Sequence, residues 1–484
     1  MSKLISSIQK DTNYTLTENG ALTHASSLNN VLDFFYHAPA RRGMDNTQLF
    51  LSAFSEDRQT ALRALFYTRD IRGGQGERET FRQGLRLLYK NFKDEFKTAI
   101  KHVPEYGRWD DILEFVDDEN VQNMVKAQFA ADFDALRSGK SVSLLAKWLP
   151  SANASSKQTK ALARKWIRVF EVTEKDYRKA LSALRARIDV LETKMSSNSW
   201  KAINYSTVPS KASLRYRTAF HKKDGERYTA FLEKAAKGEV KINSAALYPY
   251  ELVEKYLGYG YGASVDKTVE AQWKQLPNYA DTDTNALVVC DVSGSMTGGK
   301  PQPIAVAISL AIYLAERNKG QFKDTFITFS ENPQLQVIKG NTLYEKVNNL
   351  RSADWGMSTN LQGVFDLILT SAKRHKLSQA DLPSKIFIVS DMEFNVACGR
   401  SHTNYEVIKA KFEACGYSLP EIVFWNVRSR NNQTPVTRDE EGTFLVSGCS
   451  PSIFKNAVNC KATTPEELML EVLNGPRYEK IVLG

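Results

Sequence analysis

Asp291-Val292-Ser293-Gly294-Ser295 places one carboxylate and two hydroxyls within five residues. An apolar run, Ala286–Cys290, precedes it, and a helix-like segment, Pro301–Arg317, follows. On a tight loop at the carboxyl end of a strand, those oxygens form a set that a hard divalent cation such as Mg²⁺ favours. Such a set leaves a position for water or for an outside carboxylate. Two downstream segments can supply more of the site. Thr359, in Met357-Ser358-Thr359-Asn360, offers a third hydroxyl ahead of the amphipathic Leu361–Ala372, and Asp391 ends the apolar run Ile386–Ser390. The same loop also carries Gly294-x4-Gly299-Lys300, the spacing of a phosphate-binding loop. Pro301 stands where that loop needs Ser or Thr to hold Mg²⁺, which argues against nucleotide binding, and proline suits the first turn of a helix.

The elements that must position these residues fall into two kinds. From about Leu28 to Leu257, apolar residues recur at three and four, predicting helices at Leu49–Phe54, Thr60–Phe66, Glu79–Phe92, Lys93–His102, Trp109–Val116 and Val121–Leu136. Lys157–Phe170, Glu174–Leu191, Leu214–Ala235 and Pro249–Tyr256 continue the pattern, and strand-like alternation is nearly absent. Paired short helices over so long a region predict an α-solenoid of degenerate repeats. Gly258-Tyr259-Gly260-Tyr261-Gly262 punctuates the chain, and Val265–Asn278 reads as one more helix. From Asn285 onward, strands at Ala286–Cys290, Phe322–Phe329, Lys385–Ser390, Glu421–Trp425 and Thr443–Val446 alternate with helices, predicting a doubly wound parallel sheet. The expected organisation is an N-terminal extension (1–27), a basic helical domain (28–280) and an α/β domain (281–484). Ligands of such sheets sit beyond the carboxyl ends of the strands, where Asp291, Thr359 and Asp391 would meet.

Composition narrows the class. No run of about 18 apolar residues exists to span a bilayer, and Met1–Gly20 lacks an apolar signal core, so the expected place is the cytoplasm of whichever cell makes the protein. The five cysteines, Cys290, Cys398, Cys415, Cys449 and Cys460, show no C-x-x-C spacing and are expected as reduced thiols. The scattered histidines pair with no nucleophile, so no catalysis is expected. Residues 1–280 hold 44 basic against 33 acidic residues, a net of +11, whereas residues 281–484 carry −1. That asymmetry is the footprint of a polyanion binder, although solvated helix faces can also be basic.

Three basic segments stand out. Lys211, Arg215, Arg217, His221, Lys222 and Lys223 interleave with Tyr216, Phe220 and Tyr228, which suits single-stranded RNA if the rings stack on bases, or a helix core if they do not. Lys157, Lys160 and Arg164 share one helical face, either an RNA surface or a solvated one. Arg72 lies in Arg69–Arg78, readable as a phosphate cradle or, in preference, as an interhelical turn whose arginines pair with Asp70, Glu77 and Glu79. Tyr106–Asp111 reads as a buried corner with Trp109 packed and Asp110 or Asp111 capping the next helix.

Asp291, Ser293, Ser295, Thr359 and Asp391 together resemble, in order and context, the metal-ion-dependent adhesion site (MIDAS) of von Willebrand factor A domains. The chain as a whole resembles a family of proteins without assigned activity known from phages and plants, with a helical N-terminal half and a von Willebrand A-like C-terminal half. The residues that carry this likeness are Thr17–Ala21, Arg69–Arg78, Tyr106–Asp111, Trp148–Ser151, Tyr177–Lys179, Val208–Ala212 and Ser390–Phe394. Remotely, the domain order is similar to that of the TROVE proteins of Ro ribonucleoproteins, in which a ring of HEAT-like repeats binds RNA and a von Willebrand A domain closes the ring. These resemblances imply a noncatalytic RNA-binding protein, holding single-stranded or structured small RNA on basic helices, with a Mg²⁺ site for assembly or for a protein partner's acidic residue. Asp291, Ser293 and Ser295 would ligate directly, Thr359 directly or through water, and Asp391 directly or through a bridging group. The alternative is a metal-dependent protein-interaction module, such as an adaptor for an AAA+ ATPase, without RNA. A metal nuclease is disfavoured, because hydroxyl-rich ligation leaves few carboxylates to hold two ions.

Overall fold

A computed structural model describes the chain apart from residues 1–7, 10–11, 189, 258–263, 281–284, 352–357, 397–400, 460 and 484. The Gly258–Gly262 punctuation, the junction at residue 281, Met357, Cys398 and Cys460 therefore lie outside the described residues. Cys290, Cys415 and Cys449 are free thiols.

The helical half runs from Asn30–His37 to Lys267–Lys274, and from Asn30–His37 through Lys93–Ile100 each helix packs on the next. Local signals set the ends. Asp57 caps Arg58–Arg69 by accepting the Thr60 N–H at 3.0 Å, and the helix buries Leu62, Leu65 and Phe66. Trp109–Val116 is not the helix its spacing predicts, and only Trp109–Asp111 forms a 3₁₀ turn. Asp111 is the cause. Its buried carboxylate takes the Arg108 N–H at 3.0 Å and the guanidinium groups of Arg69 and Arg82 at 2.8 Å each, which locks a tight corner. Trp109 packs into that corner.

Strand pairing near the N-terminus was not visible in the residue pattern. β1 (Tyr14–Leu16) and β2 (Leu22–His24) form an antiparallel hairpin with Leu16 opposite Leu22. Its strands are too short, at three residues each, to show alternation.

The C-terminal half is a six-stranded mixed sheet flanked by helices. It comprises β3 (Ala286–Asp291), β4 (Thr325–Phe329), β5 (Leu335–Val337), β6 (Lys385–Ser390), β7 (Glu421–Asn426) and β8 (Thr443–Ser447), in spatial order β5-β4-β3-β6-β7-β8. All neighbours are parallel except β5, an antiparallel edge strand absent from the expectation. Helix Pro303–Arg317 is apolar on nearly every side because it is covered on nearly every side. It lies between β3 and the helices Pro249–Leu257 and Leu343–Arg351. Pro303, not Pro301, takes the first helical turn, with Gln302 as the cap.

The two halves share one apolar core running from Val31 to Ile481. They also exchange termini. The β1–β2 hairpin bonds to the sheet half, through His24 N to Thr434 O at 3.1 Å. The tail beyond Gly475 returns to the helical half, where Tyr106 donates to the Arg477 carbonyl at 2.6 Å and Gln59 to that of Ile481 at 2.6 Å. Among the described residues no helix is long and apolar enough to cross a membrane.

Candidate metal centre

The sheet order fixes where a site can form. From β3 the chain moves to one side, to β4 and β5, and then crosses β3 to lay down β6, β7 and β8 on the other. The direction reverses between β3 and β6, and a crevice opens beyond the carboxyl ends of strands at such a point. Asp291 ends β3 and Asp391 follows β6, whose strands run in register with Cys290 beside Val389. Topology thus brings together two carboxylates a hundred residues apart in sequence.

Asp291 is fully buried. One carboxylate oxygen accepts the Ser293 N–H at 2.8 Å and the other the Ser390 hydroxyl at 2.6 Å. Burial, and next the neighbouring Asp391 carboxylate, push its pKa up to about 6. The Ser293 and Ser295 hydroxyls hydrogen-bond to each other at 3.0 Å, side by side on the loop. Arg428 pins this loop by donating to the Ser295 carbonyl at 2.9 Å and the Gly298 carbonyl at 2.8 Å. Thr359, also buried, sits at the exit of β6, its hydroxyl 2.8 Å from the Glu393 carbonyl and 3.1 Å from Asn395 Oδ1. Asp391 is buried and accepts from Arg430 at 2.7 Å. The oxygen-only donors, and two carboxylates whose proximity a positive charge would relieve, fit a hard divalent cation.

Several neighbours of the site escaped the residue-type reading. Ser390 was visible only as a strand end and, like Glu18 and Asn19, within a motif given no role at the site, and Arg428 and Arg430 arrive through tertiary folding. Glu18 pairs with Arg430 at 2.7 Å, and Asn19 reaches Thr359 Oγ1 at 3.3 Å.

The basic segments fare differently. Phe220 and Tyr228 are fully buried in a small core with Tyr205 and Leu232, so they offer no stacking platform. Tyr216 donates to Glu192 at 3.1 Å. Two of the cations between them are paired, Lys211 with Glu251 at 3.1 Å and Arg217 with Asp266 at 2.6 Å, whereas Arg215, His221, Lys222 and Lys223 are exposed. Lys157 and Arg164 are exposed on their helix, and Lys160 is half-buried. Arg69–Arg78 is an interhelical turn, but its pairs differ from those expected. Arg69 bonds Asp111, and Asp70 is taken by Arg477 from the C-terminal tail. The tail is remote in sequence, which hid this partner. Arg72 is exposed on the turn.

A cleft of about 630 Å³ had no counterpart in the sequence reading. Lys175, Arg178, Lys179 and Arg185 line it, with Ser151 and Asn153 opposite, and no carboxylate does so among the described residues. Two motifs meet there, since Tyr177 donates to the Pro150 carbonyl at 2.9 Å. The signal available in sequence was Arg178 and Lys179 beside that tyrosine.

Comparison with known proteins agrees with this two-part layout. Residues 17–116 and 118–281 match the domain of unknown function DUF2828, and residues 285–476 match the domain of unknown function DUF7788. The chain belongs to the DUF2828 family. It is 32% identical to the uncharacterized protein L728 of Acanthamoeba polyphaga mimivirus, over 95% of this chain and 87% of that one. The RO (RSR) protein of Deinococcus radiodurans is a distant structural match, with a TM-score of 0.48 and 16% identity over 93% of this chain and 100% of that one.

Proposed function

We propose that this protein is a noncatalytic binding scaffold whose C-terminal half is a von Willebrand A-type domain holding one divalent cation, Mg²⁺ by its chemistry. The observation that carries the reading is the meeting of the Asp291 and Asp391 carboxylates at the reversal point of the sheet, with the Ser293 and Ser295 hydroxyls side by side on the loop that follows Asp291. Asp291 and the two serines would hold the cation, with Thr359 and Asp391 direct or bridged, and an acidic group would complete it. Bound there, the cation supplies positive charge for a carboxylate. The reading is supported by the donor chemistry and by the mutual repulsion of two buried carboxylates. Titration with Mn²⁺ or Mg²⁺ tests it, and retained affinity in Asp291→Ala refutes it.

A second surface is favoured by a separate observation, the cationic cleft between Ser151–Asn153 and the helix Glu174–Ile188, which no carboxylate lines among the described residues. In this reading the helical half, a HEAT-like scaffold, binds RNA by its phosphates, which cations in an uncompensated groove attract. Ionic strength provides the check. RNA affinity must fall steeply with salt, and the absence of binding at low salt sinks this part alone.

A further inference from the structure

The Thr17–Ala21 turn between β1 and β2 reaches the candidate metal centre through Asn19, at Thr359, and Glu18, at Arg430. It is closed by its own bonds, Thr17 N to Ala21 O and Gly20 N to Thr17 O, both 2.9 Å, with Gly20 in the left-handed region at φ +80°. It is also fastened to the segment that leaves β6. The Thr17 hydroxyl donates to the Phe394 carbonyl at 2.8 Å, the Glu18 N–H to the Glu393 carboxylate at 2.6 Å and the Asn19 amide to the Glu393 carbonyl at 2.6 Å. Gly20 forms an antiparallel bridge with Asn395. So fastened, the turn touches two of the five candidate ligands, Thr359 through Asn19 and Asp391 through Arg430.

The second of these contacts points to a role. Arg430 holds Asp391 on one terminal nitrogen and Glu18 on the other, each at 2.7 Å. The two terminal nitrogens of a guanidinium are about 2.3 Å apart, so the two carboxylates face a common positive charge. That charge is imperfectly accommodated, since the buried Arg430 Nε has no hydrogen-bond partner among the described residues. A buried donor without a partner costs free energy, which weakens the hold of the guanidinium on this position.

We propose that Glu18 is the acidic group that completes the cation site, supplied in cis by the chain's own N-terminal turn. This rests on the reading of the site as a metal centre. Glu18 and Asp391 then exchange Arg430 for a divalent cation, and the turn becomes stapled to the sheet half in a metal-dependent way. The hydrogen bonds that fasten the turn keep the Glu18 carboxylate at a high effective concentration, an advantage no separate partner shares.

Mn²⁺ affinity of the full-length chain, with Mg²⁺-dependent hydrogen exchange of residues 14–24, tests the proposal in wild type, Glu18→Gln, Arg430→Met and Asp291→Ala. Glu18→Gln is nearly isosteric and on the surface, so the fold should persist. The expected result is at least tenfold weaker Mn²⁺ binding in Glu18→Gln, with loss of Mg²⁺-induced protection of the turn, and binding retained or tightened in Arg430→Met. Wild-type affinity in Glu18→Gln, while Asp291→Ala has lost binding, overturns the assignment and leaves the metal centre intact. Tighter binding in Glu18→Gln overturns it too, because Glu18 would then be holding Arg430 in place against the cation. If the wild type binds no Mn²⁺, the underlying reading fails as well.

Discussion

Replacing Asp70 by alanine should release the C-terminal tail from the helical half. Asp70 is buried and accepts from Arg477 Nε at 2.8 Å, Arg477 Nη2 at 3.0 Å and the Tyr478 hydroxyl at 3.2 Å. Its oxygens also take the N–H groups of Arg72 at 3.0 Å and Gly73 at 3.2 Å, which shapes the arginine–glycine turn. Breaking a fully buried ion pair costs about 3–5 kcal/mol. The Arg477 side chain is 32% exposed, so water recovers part of that, leaving about 2 kcal/mol for the pair. The lost acceptor for Tyr478 adds about 1 kcal/mol. At 1.4 kcal/mol per decade, a total of about 3 kcal/mol speeds local opening roughly a hundredfold. Hydrogen exchange reads this in the amides of Tyr478 and Ile481, which bond within the tail. A double-mutant cycle with Arg477→Ala should show coupling of about 1–3 kcal/mol. A change in exchange below threefold, or strict additivity, would mean that the turn does not clamp the tail.

Other outcomes follow from the same geometry. Gly74→Ala should destabilise by about 3 kcal/mol or more, because its Cβ would lie 2.0 Å from the Tyr67 carbonyl oxygen, whereas Gly73→Ala meets nothing nearer than 3.3 Å and should be milder; thermal melts of the two variants decide. His37 is fully buried, and burial followed by the Arg41 charge lowers its pKa to about 3. Its folded value lies below the unfolded one, so its contribution is complete above about pH 6.5 and is lost as pH falls toward 3, about 2 kcal/mol by pH 5. Chemical unfolding at pH 7 and pH 5 should show that much less acid sensitivity in His37→Gln. On the RNA reading, the double change Arg178→Glu and Lys179→Glu should flatten the salt dependence of single-stranded RNA binding by about 1.4 in slope, whereas Arg217→Glu should leave it unchanged, a contrast that filter binding across salt concentrations can measure.

How much of this was legible depends on where each residue's partners lie. β3, β6, β7 and β8 could be read because strands covered on both faces show as continuous apolar runs. Asp291, Ser293 and Ser295 were legible because their spacing is local. Asp391 was legible because it ends a run of the same kind. β5 was hidden, since a three-residue edge strand with exposed Leu335 and Val337 carries no burial pattern. Phe220 and Tyr228 were ambiguous because an aromatic at helical spacing serves a core and a stacking surface equally well. Only their packing against Tyr205 settled it, at ring distances of 5.2 and 4.7 Å. Arg430 and Glu18 could not be connected at all. They meet only because the N-terminal hairpin folds back on a domain that begins more than two hundred residues later.

The most direct measurement is a calorimetric titration of Mg²⁺ or Mn²⁺ into the full-length wild type and into folded Asp291→Ala. The account predicts a single saturable site in the wild type and none in the variant. An absence of binding in the wild type, or equal affinity in the variant, would contradict it.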